Sequence, residues 1–222
     1  MVQNDYSRQS EIFNVNEWNN MNERINVIGC GATGSWVALS LAKLGIENVY
    51  LYDFDKVEMH NLPNQAFGVS DIGQNKAEAI KNTIKNLTGL EYKAFDKQVN
   101  RNDKLPGITF LLVDSMKARE GIMQSLKFNP QSKYAIETRL ALEGGILHFV
   151  DCNNLEKIKN FEDTLFSDSE AQVSACGHSL SLGCTSQIVA NMAVMQIIKL
   201  QNKQDIPFKT LMDFTTNTLF EM

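Results

Sequence analysis

The chain has 222 residues, with 26 Asp+Glu against 21 Lys+Arg and a formal net charge of −5. That length buries a sizeable core in a single domain over 1–222, and the acidic balance argues against a nucleic-acid stripe, whose affinity comes from Lys and Arg on phosphates. The most apolar late run, Ile188 to Leu200, is interrupted by Asn191 and Gln196, too short and polar for a span of ~20 apolar residues. The opening Met1 to Ser10 is polar and does not read as a signal peptide. These features predict a cytoplasmic protein whose four cysteines, Cys30, Cys152, Cys176 and Cys184, are reduced. None lies in a C-x-x-C pair, so no structural zinc is expected.

Strand and helix signals alternate along the first two thirds. Val27-Ile28 reads as a buried strand, and Ser35 to Leu44 carries apolar residues at helical spacing until Gly45 stops it. Asn48 to Tyr52 reads as a second strand and Lys76 to Asn86 as a helix. Ile108 to Val113 and Tyr134 to Glu137 read as strands flanking a helix from about Met116 to Leu126. Alternation of this kind predicts a Rossmann-like, doubly wound α/β fold with a mostly parallel sheet. Gly145 to Val150 adds a strand, and residues 151–178 form a polar crossover segment without clear period. Ser179 to Leu200 then reads as one long helix, and Phe208 to Glu221 as antiparallel strands turning at Thr215-Thr216-Asn217.

The chemistry concentrates between Ile25 and Lys76. The loop Gly29-Cys30-Gly31-Ala32-Thr33-Gly34 follows a strand and opens a helix. Glycines so spaced let the backbone turn tightly and approach phosphates at the helix N-terminus. Alone the loop says only "nucleotide". Asp53 and Asp55 end the second strand, where an acid commonly holds a ribose hydroxyl; Asp55 is the one expected to cap the following turn. Lys76 opens a helix, where the macrodipole disfavours a cation, a misplacement that favours a phosphate role. Asp114 follows the buried run Phe110 to Val113, at the strand end where open α/β sheets bind ligands; a carboxylate there suits magnesium or a helix N-cap. Asn61 and Gln65 can contact phosphate or ribose oxygens, or serve the turn at Pro63.

Taken together, Tyr6-Ser7-Arg8-Gln9, the glycine loop, Asp53-Phe54-Asp55-Lys56-Val57, Asn61-Leu62-x-x-Gln65, Asp71-x-Gly73-x-x-Lys76 and Val113-Asp114-Ser115 resemble the ThiF/MoeB family, which shares its adenylation domain with ubiquitin-activating enzymes. The resemblance runs from Tyr6 through the terminal hairpin. It implies an ATP- and Mg2+-dependent adenylyltransferase acting on the C-terminal carboxylate of a ubiquitin-like or sulfur-carrier protein or a peptide, working as a homodimer. It further implies nucleotide contacts from Gly29, Gly31, Ala32, Gly34, Asp53, Asp55, Asn61, Gln65 and Lys76, and a metal role for Asp114. Arg8 would reach the phosphates of the partner subunit. Many relatives carry an arginine where this chain has Asn64, which removes one cation from the site; losing such a contact costs on the order of 10²–10³ in rate.

In relatives a cysteine of the crossover segment sometimes accepts the activated acyl group as a thioester. Cys176, in Ala175-Cys176-Gly177-His178, is the candidate, ahead of a predicted helix whose dipole lowers a thiol pKa, with His178 as a base. Cys152 is a weaker candidate, Cys184 is expected in the core, and modification of Cys30 is expected to block the glycine loop. His60 and His148 receive no role. Two other classes stay open: an NAD-dependent oxidoreductase, which explains the glycine loop and Asp53 but not Lys76 or Asp114, and an inactive homologue that binds a ubiquitin-like tail. No appended sulfur-transfer or ubiquitin-fold domain is expected.

Overall fold

The computed structural model describes residues 4–127, 129–167 and 182–222. A short helix α1 (Val15–Asn20) precedes β1 (Ile25–Ile28), α2 (Gly34–Lys43), β2 (Val49–Asp53), α3 (Lys76–Thr88) and β3 (Lys93–Asp96). Then follow β4 (Gly107–Leu111), α4 (Met116–Lys127), β5 (Ser132–Ala141), β6 (Gly144–Asp151), α5 (Leu155–Glu162), α6 (Gly183–Gln201), β7 (Lys209–Asp213) and β8 (Thr218–Glu221). The strands form one eight-stranded sheet in the order β3-β2-β1-β4-β5-β6-β7-β8. β3 to β5 run parallel, and β6, β7 and β8 extend the sheet antiparallel. The doubly wound α/β expectation with antiparallel C-terminal strands is met.

β1, buried at every position, lies between β2 and β4. The chain leaves β1 towards β2 on one side, then returns past it to β4 on the other. This reversal opens a crevice at the carboxyl ends of β1 and β4, the usual ligand position in such sheets. One apolar layer, built on Val37, Leu41, Ile80, Ile84, Val189 and Ile197, packs α2, α3 and α6 on one face. A second, with Ile122, Met123, Leu126, Ile158 and Phe161, packs α4 and α5 on the other.

Local signals set the element ends. α2 stops where Gly45 takes φ +87, its N–H donating to Ala42 O and that of Ile46 to Leu41 O, the paired bonds of a left-handed helix stop. Asn75 caps α3 by accepting from Glu78 N–H at 3.1 Å. The terminal hairpin turns where Asp213 Oδ1 accepts from Thr215 and Thr216 N–H, with Asn217 at φ +56.

Part of the polar crossover segment is helical. Asn154 Oδ1 accepts from Glu156 and Lys157 N–H and starts α5, which buries Ile158 and Phe161 one turn apart. Residues 179–181 of the predicted long helix, and Cys176 and His178, lie outside the described residues; the described helix starts at Gly183. Among the described residues no helix is long and apolar enough to cross a membrane.

Phe161 is fully buried and meets the His148 ring edge-on with centroids 5.6 Å apart. Phe161→Ala is expected to cost about 3–5 kcal/mol, read as a lower urea midpoint with an unchanged slope.

Candidate active site

The glycine loop is closed by contacts that only hydrogen permits. A Cβ on Gly34 would lie 1.8 Å from Gly29 O, and Gly29 itself sits at φ +88 with a Cβ position 2.7 Å from Leu112 O. Gly31 differs: nothing lies within 4 Å of its Cβ position. No neighbouring protein atom demands glycine there, so the space is left to whatever approaches the loop. The loop feeds α2, whose cap residue Thr33 makes no side-chain cap bond, while Ser35 N–H donates back to Gly31 O at 3.1 Å.

Asp53 ties this loop to the acidic segment. One carboxylate oxygen accepts from Cys30 N–H at 2.6 Å and the other from Asp55 N–H at 2.8 Å. Asp53 therefore closes the turn assigned to Asp55 from sequence, because its side chain is buried beside both amides while that of Asp55 is about half exposed. Burial pushes the Asp53 carboxyl up; the amides of Asp55 and Cys30 and the Lys76 charge offset that only in part. Each oxygen keeps a lone pair for a further donor.

Asp55 instead holds Lys76, with Nζ 3.0 Å from Oδ2. The lysine is the first residue of α3, mostly buried, and its own N–H donates to Asp55 O at 2.9 Å. Asn75 donates to the carbonyls of Asp53 and Asp55. The ammonium is thus fixed at the crevice by one carboxylate.

The segment after β2 returns over α2. Ser35 Oγ donates to Gly31 O at 2.8 Å and accepts from Ala66 N–H at 3.0 Å, and Trp36 Nε1 donates to Asn64 O at 3.1 Å. Asn61 Oδ1 accepts from Glu58 N–H at 2.8 Å, so its oxygen does turn chemistry and its amide group remains. Gln65 is buried, and its Oε1 has no hydrogen-bond partner among the described residues, an acceptor that awaits a donor.

Asp114 lies three residues beyond β4 and is exposed. Ser115 Oγ takes the cap bond from Ala118 N–H at 3.2 Å. Arg8 lies elsewhere. Its neighbour Gln9 donates to Leu44 O, at the far end of α2 from the glycine loop, and the ten residues of that helix span about 15 Å.

The cysteines need two corrections. Cys184 is exposed rather than core, because it lies in the first turn of α6 on the face turned from the sheet. Cys152 is buried, and burial with the Asp151 charge pushes its thiol up to about 12, which removes it as a nucleophile. Cys30 is fully buried, and burial, then the Asp53 charge, raises its thiol well above the ordinary value, so reagents do not reach it in the folded chain. His60 lies 3.5 Å from Glu58 on the surface.

A charged network beside the crevice was missed. Glu137, in register with Leu111 of β4, is fully buried. It accepts from Arg119, from Arg139 Nε at 2.9 Å, and pairs with His148 Nδ1 at 2.7 Å. Arg139 donates on to Thr164 O and Oγ1 at 2.8 and 2.7 Å, fastening the chain beyond α5 to the sheet. His148 Nε2 is buried without a partner among the described residues. The signal was present: a glutamate inside a predicted buried strand requires a cation.

The glycine loop, tied through Asp53 to Asp55 and so to Lys76, lies in a doubly wound α/β protein at the strand ends where such sheets commonly take their ligands. A family model, the ThiF family, matches residues 6–221, and the chain belongs to that family. It is 25% identical over 234 residues to "Ubiquitin-like modifier-activating enzyme 5" of Caenorhabditis elegans, covering 90% of this chain and 54% of that protein. The chain thus spans about half the length of that curated relative. E. coli MccB solved with MccA superposes with a TM-score of 0.73 at 18% identity, covering 99% of this chain and 72% of MccB. MccB solved with ATP gives a TM-score of 0.66 at 18% identity, over 90% of this chain and 63% of MccB. Likeness at these identities is one of fold.

Burial pushes Glu137 up, but the Arg119 charge, the His148 hydrogen bond and the Arg139 charge overcome it and hold the carboxyl below its ordinary 4.5. A depressed carboxylate stabilises the fold above its unfolded pKa, and that stability is lost as pH falls through the folded value. Glu137→Gln is therefore expected to lower stability at pH 7 by about 3–5 kcal/mol and to flatten the loss of stability below pH ~4.3, both read by urea unfolding across pH.

Proposed function

We propose that the chain is an ATP- and magnesium-dependent adenylyltransferase that activates the C-terminal carboxylate of a small ubiquitin-like or sulfur-carrier protein, or of a peptide. The carboxylate attacks the α-phosphorus of ATP and pyrophosphate leaves. The observation that carries the reading is the tie of the glycine loop through Asp53 to Asp55 and Lys76. Membership of the ThiF family and the relatives' names support the substrate class.

The residues fit a nucleotide. The open space at Gly31, beside the N-terminus of α2, suits a phosphate chain. Gln65 Oε1, buried and unpartnered among the described residues, suits a hydroxyl donor such as a ribose. Asp53 orients the loop through two amides and keeps lone pairs for the same sugar. Lys76, preset by Asp55 at 3.0 Å, donates to phosphate oxygens and stabilises the charge that grows as the diphosphate departs. Because Asp55 has already fixed the ammonium, little reorganisation is required at that moment.

Asp114 is the residue assigned to magnesium, a hard cation that offsets phosphate charge. No group of three or more metal-ligating side chains occurs among the described residues. Magnesium commonly binds through one or two carboxylates together with substrate phosphates and water. Transfer to Cys176 with His178 as base belongs to the same proposal: the thiolate attacks the acyl carbonyl and AMP leaves. The protein acts in the cytoplasm, and residues 1–222 act as a single adenylation domain.

Thermal unfolding with ATP and magnesium tests binding. Saturation at 100 times Kd adds about 2.7 kcal/mol, and the gain is expected to vanish in Asp114→Asn. Pyrophosphate exchange with candidate carboxyl-terminal peptides tests chemistry, with Lys76→Ala expected to lose about 10²–10³ in rate. A midpoint shift with NAD alone would revive the oxidoreductase reading. Tail binding without exchange would identify a binding module, a reading favoured by Asn64 standing where many relatives carry arginine.

A further inference from the structure

The chain passes from β3 to β4 through residues 97–106 without a helix. The face of the sheet that α4 and α5 cover elsewhere is therefore left with a loop over β2 and β3. Val99 and Leu105 of that loop are buried with Tyr52, but Phe95 stays 39% exposed. Its ring stacks on Tyr52 at 5.0 Å and on Tyr50 at 6.2 Å between centroids. Two cations lie on the same platform. The Arg24 guanidinium carbon stands 3.7 Å from the Tyr50 centroid, and Lys93 Nζ stands 4.5 Å from it. Arg24 donates to Tyr52 Oη at 2.6 Å and Lys93 to Tyr50 Oη at 2.7 Å.

Among the described residues no carboxylate pairs with either cation, whereas Lys81, Lys85 and Lys133, also at the surface, each have one. The rings attract the two charges but do not neutralise them, and like charges held over one ring gain from an anion brought beside them. The backbone next to them is open as well. β3 ends the sheet. Lys97 N–H donates to Asp53 O at 3.2 Å, in step with the pairs Tyr50–Lys93 and Tyr52–Phe95. Backbone groups alternate sides along a strand, so those of Lys93 and Phe95 also face β2, and those of Ala94 and Asp96 face outward. Outward groups of an edge are a template for a further strand. A lysine on the edge opposes pairing with a like edge, so the charge here bars a second β3 and admits an acidic strand.

We propose that the β3 edge is a docking site for an extended acidic segment of a partner protein, which joins the sheet through backbone hydrogen bonds to Ala94 and Asp96. Side chains of the added strand alternate between its faces. One face meets Lys93 and Phe95; it takes a carboxylate against Lys93, in the field of Arg24, and an aromatic side chain against Phe95. The other face meets Ala94 and Asp96, where the exposed Asp96 repels a second acid. The recognised pattern is therefore acidic, neutral, aromatic at consecutive positions. The ladder supplies affinity and the charges select the partner. The chain as a whole carries a net charge of −5, so the two unpaired cations are what direct an acidic segment to this edge. None of this rests on the adenylation reading, because no residue of the crevice takes part.

A peptide of repeated Glu-Thr-Tyr-Thr units is the probe, titrated into the isotope-labelled chain and followed by amide NMR. It is expected to shift the Ala94 and Asp96 amides and to slow their hydrogen exchange, and to bind more weakly as salt is raised. Lys93→Glu is expected to weaken binding about tenfold, as an attractive pair becomes a repulsive one. Ala94→Pro removes an outward donor that an edge strand can spare and is expected to abolish binding. Circular dichroism is expected to stay unchanged in both variants. The same peptide N-methylated at its backbone amides deletes the ladder from the partner's side and is expected not to bind, so the test holds even if Ala94→Pro does not fold. No shift at Ala94 and Asp96, or undiminished binding to Lys93→Glu or by the N-methylated peptide, overturns the proposal. Tighter binding of an oligothymidylate than of the peptide also overturns it, and would make the rings a stacking platform for single-stranded nucleic acid.

Discussion

Both oxygens of Asp53 are committed to backbone amides, one in the glycine loop and one in the turn that follows β2. This double bond of one carboxylate to two chain segments holds the site in register. Parallel strands fix only the levels of β1 and β2; their loops diverge unless something spans them. Asp53 spans them from within the strand end, and Asn75 repeats the tie from the other side through the Asp53 and Asp55 carbonyls. Because these ties use only the backbone of Asp55, its side chain is left to pair with Lys76. The cost is a buried carboxylate, and burial does push its pKa up.

The sheet separates two tasks. Its parallel part supplies the crevice, because only parallel strands bring successive loops to one edge. Its antiparallel part supplies a rigid flank. The junction is β5, parallel to β4 on one side and antiparallel to β6 on the other, and Glu137 sits there. Arg119 arrives from α4, His148 from β6, and Arg139 carries the network out to Thr164. One anion thereby joins a helix, two strands and the chain beyond α5. Such a cluster is costly to desolvate and tolerable only when its members satisfy one another.

Sequence reading reached the parallel core because its signals are local. The glycine loop, the Gly45 stop and the apolar runs of β1, β2, β4 and β5 each announce themselves within a few residues. What it missed lacks such a signal. β3 is an edge strand whose residues are almost all exposed, so no alternation marks it. α1 has six residues and α5 buries only two, too few for a clear period. The orientation of α6 was misjudged at Cys184 because a helix with apolar residues on two faces does not say which face meets the sheet. The exchange of duties between Asp53 and Asp55 depends on which carboxylate the fold buries, and spacing cannot report that.

The complete burial of Cys30 has a kinetic side. Its thiol is covered only once β1 is seated between β2 and β4, and β1 pairs Ile25 with Ile108 far along the chain. The β5–β6 hairpin, closed through Ala141 and Gly144, is local and can form within roughly 1–10 μs, whereas pairings between distant segments arrive later. The crevice is therefore expected to be among the later features to assemble when the chain folds. A thiol in the middle of its glycine loop makes that moment visible: during refolding, the time at which Cys30 stops reacting is the time at which the site comes into being.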